Sequence, residues 1–469
     1  MTKVFENRYR YLVLATGCLG LTSISSNMLA FNIAQVCMGS EYFNHTNQTC
    51  LMGVPLDYTP YEVSLINLAV AIGAAIATLM FSEAYVRIGT KWPFFVAGML
   101  SVFATALIPF AAEFHFYALL AFRFLQGISF AADFAAVGSL CSSWASLKQN
   151  GLFLGFLTAY SPASSALTNW IGGVVCKSSY GWPMVFYVHA ISGFVVFVLW
   201  FLVYCDKPQD SRKVSPIELE KIQRNKNRDQ INGTKKIPYK SLLTDVRIWS
   251  IWFSAFAEIF STSFLSVHSP YYIKNVLQYS VEETGNFSAL SRLVQIPVRL
   301  ICGEMSDRIT FLSENLKLIV FNTITVGGAG VSFAAIGFMP KEYPILPIIG
   351  FCMVNVMTGS ASGGFYKAAV LYSRQYSHFV IATCQFLRCI ALFLGPAMVA
   401  VFIHDEESQS QWKVVFLIIA AFLFMATIIF CVFSTSEPAV YTDEYFVEKK
   451  TASVYIMETG VSKKNGWLI

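Results

Sequence analysis

Arginines, carboxylates and a histidine recur at helical spacing inside stretches of this 469-residue chain that are otherwise apolar. An ionised side chain held in hydrocarbon costs roughly 2.5–3.5 kcal/mol on insertion scales, so each one that remains marks a pathway or an internal pair. Gln126, Ser129 and Asp133 fall three and four residues apart on one stripe, with Arg123 a turn earlier. That face can bind a proton or polar solute, or can pack against a neighbouring helix. Arg292 and Arg299 lie seven residues apart and so share nearly one face, with Gln295 between them and Pro297 loosening the backbone. Two cations on one stripe can receive an anion; otherwise one pairs with Glu258 or Glu304 and the other sits near a helix end. Arg388 is expected to face a cavity, on the Cys384 and Gly395 side of its helix, whereas Lys367 is expected to snorkel to the interface. Glu258, Ser261, Leu265 and His268 form a further three-four stripe. His268 fits either a proton relay or an ordinary hydrogen-bonded histidine.

Elements that hold such residues must be helices in lipid. The chain is 55% hydrophobic and 13% charged, an imbalance that soluble domains of this length cannot hide in their cores. Hydrocarbon offers the backbone no hydrogen-bond partner, and apolar runs of about 20 residues indicate spanning helices. Twelve spans are read near 11–36, 63–85, 93–113, 116–141, 151–175, 184–205, 248–270, 285–304, 316–338, 344–366, 379–403 and 413–434. The first is too long, and too poor in a small-residue cleavage site, to be a removed signal peptide.

Basic residues concentrate in the segment from Asp206 to Arg247, while residues 38–62 contain no Lys or Arg. By the positive-inside rule the former is cytoplasmic, the latter external, and both termini cytoplasmic. The expected organisation is a six-helix bundle over 1–205, a basic cytoplasmic linker over 206–247, a second six-helix bundle over 248–434, and a cytoplasmic tail over 435–469. A solute site is expected between the pseudo-symmetric bundles near the bilayer midplane. The linker needs no nucleic acid to explain its charge. Within it Ser215-Pro216-Ile217-Glu218 has capping-box order, predicting a short surface helix.

Asn44 and Asn47 head overlapping glycosylation sequons in the external loop. The sequon at Asn232 faces the cytosol, and that at Asn286 lies too close to the membrane. Cys37 and Cys50 flank the same loop and can form a disulfide in an oxidising lumen. The terminal Trp467-Leu468-Ile469 offers weak grounds for a peptide-binding-domain partner.

The chain resembles the anion:cation symporters of the major facilitator superfamily, the group of sialin, the vesicular glutamate transporters and the type I sodium-phosphate cotransporters. The resemblance rests on Arg123-Phe-Leu-Gln126-Gly127, Trp144-Ala145, Gly181-Trp182-Pro183 with Phe186-Tyr187, Ser269-Pro270-Tyr271-Tyr272, Gly303-Glu304-Met305-Ser306-Asp307-Arg308, and Trp412 to Phe416. Their order and spacing cover nearly the whole chain. The departures fall where the chemistry of the family lies. Ala30 stands where an arginine precedes Asn32, Phe130 replaces a glutamate with an acid instead at Asp133, and Asn67 and Glu258 stand where vesicular glutamate transporters have histidine and arginine. The first-half loop motif is reduced to Arg87-Ile-Gly89-Thr-Lys91, with Val86 where an aspartate is expected.

The resulting expectation is an all-α membrane protein of the major facilitator fold, working as an alternating-access secondary transporter. Its substrate is expected to be a small organic anion or phosphate, coupled to protons or sodium. Candidate substrate residues are Asn32, Asn67, Arg123, Gln126, Asp133, Glu258, Arg292, Arg299 and Arg388. Asp133, Glu258 and His268 are candidates for proton coupling, and Arg87, Lys91, Asp307 and Arg308 for a cytoplasmic gate. No phosphate-cradling loop, metal-ligand spacing or enzyme motif is present, so neither cofactor, metal nor enzymatic activity is expected. The competing readings are a transporter-like sensor without flux, and a carrier of a cation received by Asp133 and Glu258. The destination is the plasma membrane or an endolysosomal or vesicular membrane.

Overall fold

A computed structural model describes residues 7–38, 53–176, 178, 180–224, 226, 237–279, 281–340, 342–405 and 407–442. Asn44, Asn47, Cys50, Asn232 and the terminal Trp467-Leu468-Ile469 lie outside the described residues, as does the side chain of Cys37.

The first half contains α1 (Tyr9–Met38), α2 (Pro60–Ile88), α3 (Lys91–Phe114), α4 (Phe116–Phe130), α5 (Asp133–Trp144), α6 (Asn150–Thr158), α7 (Tyr160–Cys176) and α8 (Pro183–Val203). The linker holds α9 (Pro216–Gln223) and the short α10 (Tyr239–Leu243). The second half contains α11 (Val246–Tyr271), α12 (Val281–Leu293), α13 (Gln295–Arg308), α14 (Glu314–Asn322), α15 (Gly328–Phe338), α16 (Ile345–Thr358), α17 (Phe365–Ser373), α18 (Ser377–Phe402) and α19 (Gln409–Phe433).

Nine described stretches are long and apolar enough to cross a bilayer, and one of them, Ile345–Val399, holds two crossings. The fifth and eighth crossings, α6–α7 and α12–α13, complete the twelve. They fall short of that criterion because polar residues dilute their apolar runs, Ser161, Ser164, Ser165 and Asn169 in the fifth and Arg292, Gln295 and Arg299 in the eighth.

Several crossings consist of two helical pieces. Around Ala131–Ala132, Ala159 and Val294 the dihedrals stay right-handed helical while the regular pattern lapses, and Gly359–Gly363 forms a 3₁₀ turn. Irregular backbone at membrane depth is tolerated only where protein or a cavity surrounds it. Each of these breaks falls partway along its crossing.

The halves meet along two seams, α5 against α18 and α6 against α13. Glycine makes both approaches close. A Cβ at Gly138 would lie 2.5 Å from His378 Cα, one at Gly151 2.5 Å from the Gly303 carbonyl oxygen, and one at Gly155 2.6 Å from the Arg299 carbonyl oxygen.

The start of α1, the described parts of the linker and the segment after α19 gather at one end of the bundle. Glu218 on α9 is fully buried and accepts from the amides of Tyr9 at 3.0 Å and Arg10 at 2.9 Å, so it caps α1. The expected capping box is therefore half formed: Ser215 accepts from the Glu218 amide, but the Glu218 carboxylate turns to α1 instead of its own N-cap. The expected surface helix is a latch on the first crossing, because an orphan helix terminus lies within reach of the acid. Asp206 caps α3 through the Thr90 and Lys91 amides at 2.6 and 2.9 Å, although burial holds its carboxyl above the usual carboxylate range. Lys226 donates to the Ser142 and Ser143 carbonyls, where a cation suits the C-terminus of α5. Beyond α19, Tyr441 donates to Asp245, the N-cap of α11.

Candidate functional site

A cavity of about 70 Å³ lies between the halves. The second half supplies Glu258, Thr262, Ser263 and Ser266 from α11, Arg292 from α12, Gln295 and Arg299 from α13, Tyr366 from α17 and Arg388 from α18. Phe134 of α5, Thr158 of α6, and Tyr160 and Ser161 of α7 close it from the first half. These first-half residues flank the breaks at Ala131–Ala132 and Ala159, and the Thr158 carbonyl beside the second break faces Arg299.

The three arginines are held differently. Arg299 donates to Glu258 at 3.0 Å and to the Thr158 carbonyl at 3.4 Å, and both members of the pair are less than a tenth exposed. Arg388 donates to the Tyr160 hydroxyl at 3.0 Å and faces Asp133 across the interface at 3.8 Å. Its guanidinium also lies 5.0 and 4.6 Å from the ring centroids of Phe130 and Phe134. Arg292 donates to the Thr262 carbonyl, and no described carboxylate lies within ion-pair distance of it. Glu258, Arg292, Arg299 and Arg388 thus share one cavity, with Asp133 directly behind Arg388.

Breaking one pair separates structure from chemistry. Glu258→Gln leaves Arg299 buried without its counter-charge and is expected to cost about 3 kcal/mol, the lower end for a broken buried pair. The double variant Glu258→Gln/Arg299→Gln is expected to recover most of that loss. Thermal melting of the purified protein reads both.

Four candidate substrate residues are not brought to the cavity. Arg123 is fully buried and donates to the Met28 carbonyl, to Gln126 at 2.7 Å and to Asn67 at 3.3 Å. Gln126 in turn donates to the Asn27 carbonyl and to Thr105. This knot ties α1, α2, α3 and α4 together within the first half. Asn32 is exposed near the end of α1. The stripe of Gln126, Ser129 and Asp133 is divided by the break after Phe130, so only Asp133 reaches the other half. His268 is buried beside Phe264, with ring centroids 4.7 Å apart, and does not line the cavity.

Of the gate candidates, Asp307 bridges the halves. It accepts from the Gly151 and Leu152 amides at 3.2 and 2.9 Å at the N-terminus of α6, and from Lys367 at 2.9 Å. Arg87 pairs with Glu83 at 2.6 Å, Arg308 with Glu304 at 2.5 Å, and Lys91 lies over the Phe201 ring, each within its own half. Lys367 corrects the snorkelling expectation: it is 3% exposed, because α17 packs inside the bundle against α18 and α11 and the Lys367 ammonium donates to Ser306 and Asp307 of α13. Tyr160, Phe134 and Tyr366 were missed, since aromatic residues in an apolar run carry no periodic signal of their own.

The family model described as Major Facilitator Superfamily matches residues 15–396. The chain belongs to the major facilitator superfamily. Within it the chain is similar to sialin of Ovis aries, at 26% identity over 344 residues, covering 72% of this chain and 68% of sialin. It is also similar to sodium-dependent phosphate transport protein 1 of Homo sapiens, at 25% identity over 391 residues, covering 82% and 80%. A bacterial homologue of the iron transporter ferroportin, solved in an outward-facing state, shares the fold with a TM-score of 0.65 at 13% identity, covering 91% of this chain and 99% of that one. The relatives are membrane transporters, not enzymes, and this superfamily member is a multi-pass membrane solute transporter, divergent from the sialin and phosphate-transport group.

Proposed function

We propose that the protein carries a small organic anion or phosphate by alternating access, coupled to protons or sodium. The supporting observation is the charge of the cavity. Three arginines line it with Glu258, Asp133 stands behind Arg388, and Arg292 is the cation left over. A half-buried surplus guanidinium with hydroxyls around it, from Thr262, Ser263, Ser266 and Ser161, suits a carboxylate or phosphate oxygen pair. A cation would find Glu258 and Asp133 already facing arginines, which weighs against that reading.

The cavity volume of about 70 Å³ is far below the roughly 300–1,000 Å³ of typical ligand sites. It suits a contracted stage of the cycle, in which bundles 1–205 and 248–434 rock about the site and the 206–247 linker joins them. Asp133 and Glu258 are the coupling carboxylates in this reading. A proton on Asp133 weakens its hold on Arg388 across the interface and thereby links protonation to separation of the halves. His268 remains a further relay candidate, and Asp307 the principal gate residue.

The linker and both termini are cytoplasmic in this reading, in keeping with the basic linker and with the contacts from Glu218 to α1 and from Tyr441 to Asp245. A gel-mobility change on enzymatic deglycosylation, lost in Asn44→Gln/Asn47→Gln, tests that orientation. Reconstituted protein in liposomes, offered labelled organic anions, phosphate and cations under imposed pH or sodium gradients, tests the function. Gradient-dependent anion accumulation is expected. Accumulation of a cation instead, or no flux in folded protein, would overturn the reading and favour the cation-carrier or sensor alternative.

A further inference from the structure

The ends of α2 and α13 repeat one another. Ser82-Glu83-Ala84-Tyr85-Val86-Arg87-Ile88 aligns with Gly303-Glu304-Met305-Ser306-Asp307-Arg308-Ile309, with Glu, Arg and Ile in common. The repeat extends to contacts, since the Glu83–Arg87 pair matches the Glu304–Arg308 pair. It fails at one position. Asp307 holds the N-terminus of α6 across the interface, whereas its counterpart is Val86, which can accept no hydrogen bond. The N-terminus of α18, in the α5–α18 seam that α2 also borders, has no side-chain cap from Tyr376. Among the described residues, one seam at the linker end therefore has an acidic clasp and the other lacks it.

The linker reaches that unclasped seam. Tyr239, at the start of α10, donates its hydroxyl to Glu83 on α2 at 2.7 Å, while its ring packs edge-on against Phe379 of α18 with centroids 5.2 Å apart. The short α10 leads directly into Asp245 and α11 and is fastened there by the Trp249 indole, which donates to the Leu243 carbonyl. Tyr239 thus stands on the second half and grips the first. Its phenol is pushed up to about 12, first by burial and then by the neighbouring Glu83 carboxylate, so it remains a donor at neutral pH.

We propose that Tyr239 and Glu83 form the clasp of the α5–α18 seam, where α2 also packs on α18, a linker-borne substitute for the acid missing at Val86. Tyr239 is a positioning residue for closure at the linker end and does not touch solute.

The test uses full-length protein in nanodiscs, without solute, carrying Ser377→Cys at the buried start of α18. The rate at which a water-soluble thiol reagent modifies that position is read by peptide mass spectrometry. Tyr239→Phe, which keeps the ring on Phe379, and Glu83→Gln are each expected to raise the rate three- to tenfold. The double variant is expected to be no faster than either single one, as for two halves of one contact. Glu304→Gln, at the mirror position, is expected to leave the rate unchanged. Unchanged rates in Tyr239→Phe, additive effects in the double variant, or an equal rise in Glu304→Gln would overturn the assignment. None of these outcomes depends on which solute is carried.

Discussion

Arg292→Gln is expected to lower anion uptake about a hundredfold or more while leaving the amount of folded protein unchanged. Arg299 and Arg388 each face a carboxylate, so removing either leaves an acid stranded in a low-dielectric interior and confounds folding with function. Arg292 has no such partner among the described residues, and its contact with the Thr262 carbonyl can be replaced by a glutamine amide. What glutamine cannot replace is the surplus charge. Two charge-assisted hydrogen bonds at roughly 1.5–3 kcal/mol each account for a loss of that size in affinity. Arg292→Lys keeps the charge but loses the fork, so partial uptake with a raised KM is expected. Concentration-dependent uptake into liposomes measures all three proteins. Full activity in Arg292→Gln would remove this residue from the solute site.

Gly303→Ala is expected to abolish transport by a different route, and without loss of stability in the open form. Its new methyl would sit 2.4 Å from the Gly151 carbonyl oxygen, a backbone atom that cannot rotate away. Within one helix the substitution is favourable, since glycine costs about 1 kcal/mol relative to alanine in a helix interior. The penalty therefore falls on the approach of α6 to α13, and the halves are held apart at the linker end. Gly151→Ala and Gly138→Ala, at 2.5 Å from backbone atoms of the opposite half, are expected to behave alike. Gly173→Ala, with no atom within 4 Å of the added carbon, is the control expected to transport normally. Uptake assays paired with thermal melting check this. Normal flux in Gly303→Ala would mean that the seam does not need to close this tightly.

The same comparison shows how much was legible in the chain. Apolar length alone identifies most crossings, because hydrocarbon thickness imposes a minimum run that soluble helices seldom reach. The motif order from Arg123 to Trp412 was enough to imply the superfamily. Helical spacing also brought out Glu258, Arg292, Arg299 and Arg388, since intramembrane charge is costly wherever it occurs. Spacing did not reveal which neighbour each charge meets. Arg123 carries the same cost as Arg292, yet one is absorbed in a knot within the first half and the other opens onto the cavity.

By itself, then, the sequence determined the solvent, the helical class, the superfamily and a short set of charged candidates, because these follow from composition, run length and local pattern. Tertiary structure decided that Asp133 meets Arg388, that Glu258 holds Arg299, that Lys367 turns inward, and that a linker tyrosine reaches across to Glu83. The physical reason is that helical periodicity specifies a direction around one axis. Pairing across an interface depends on where the helices break and how closely the backbones approach, and both are properties of the assembled bundle.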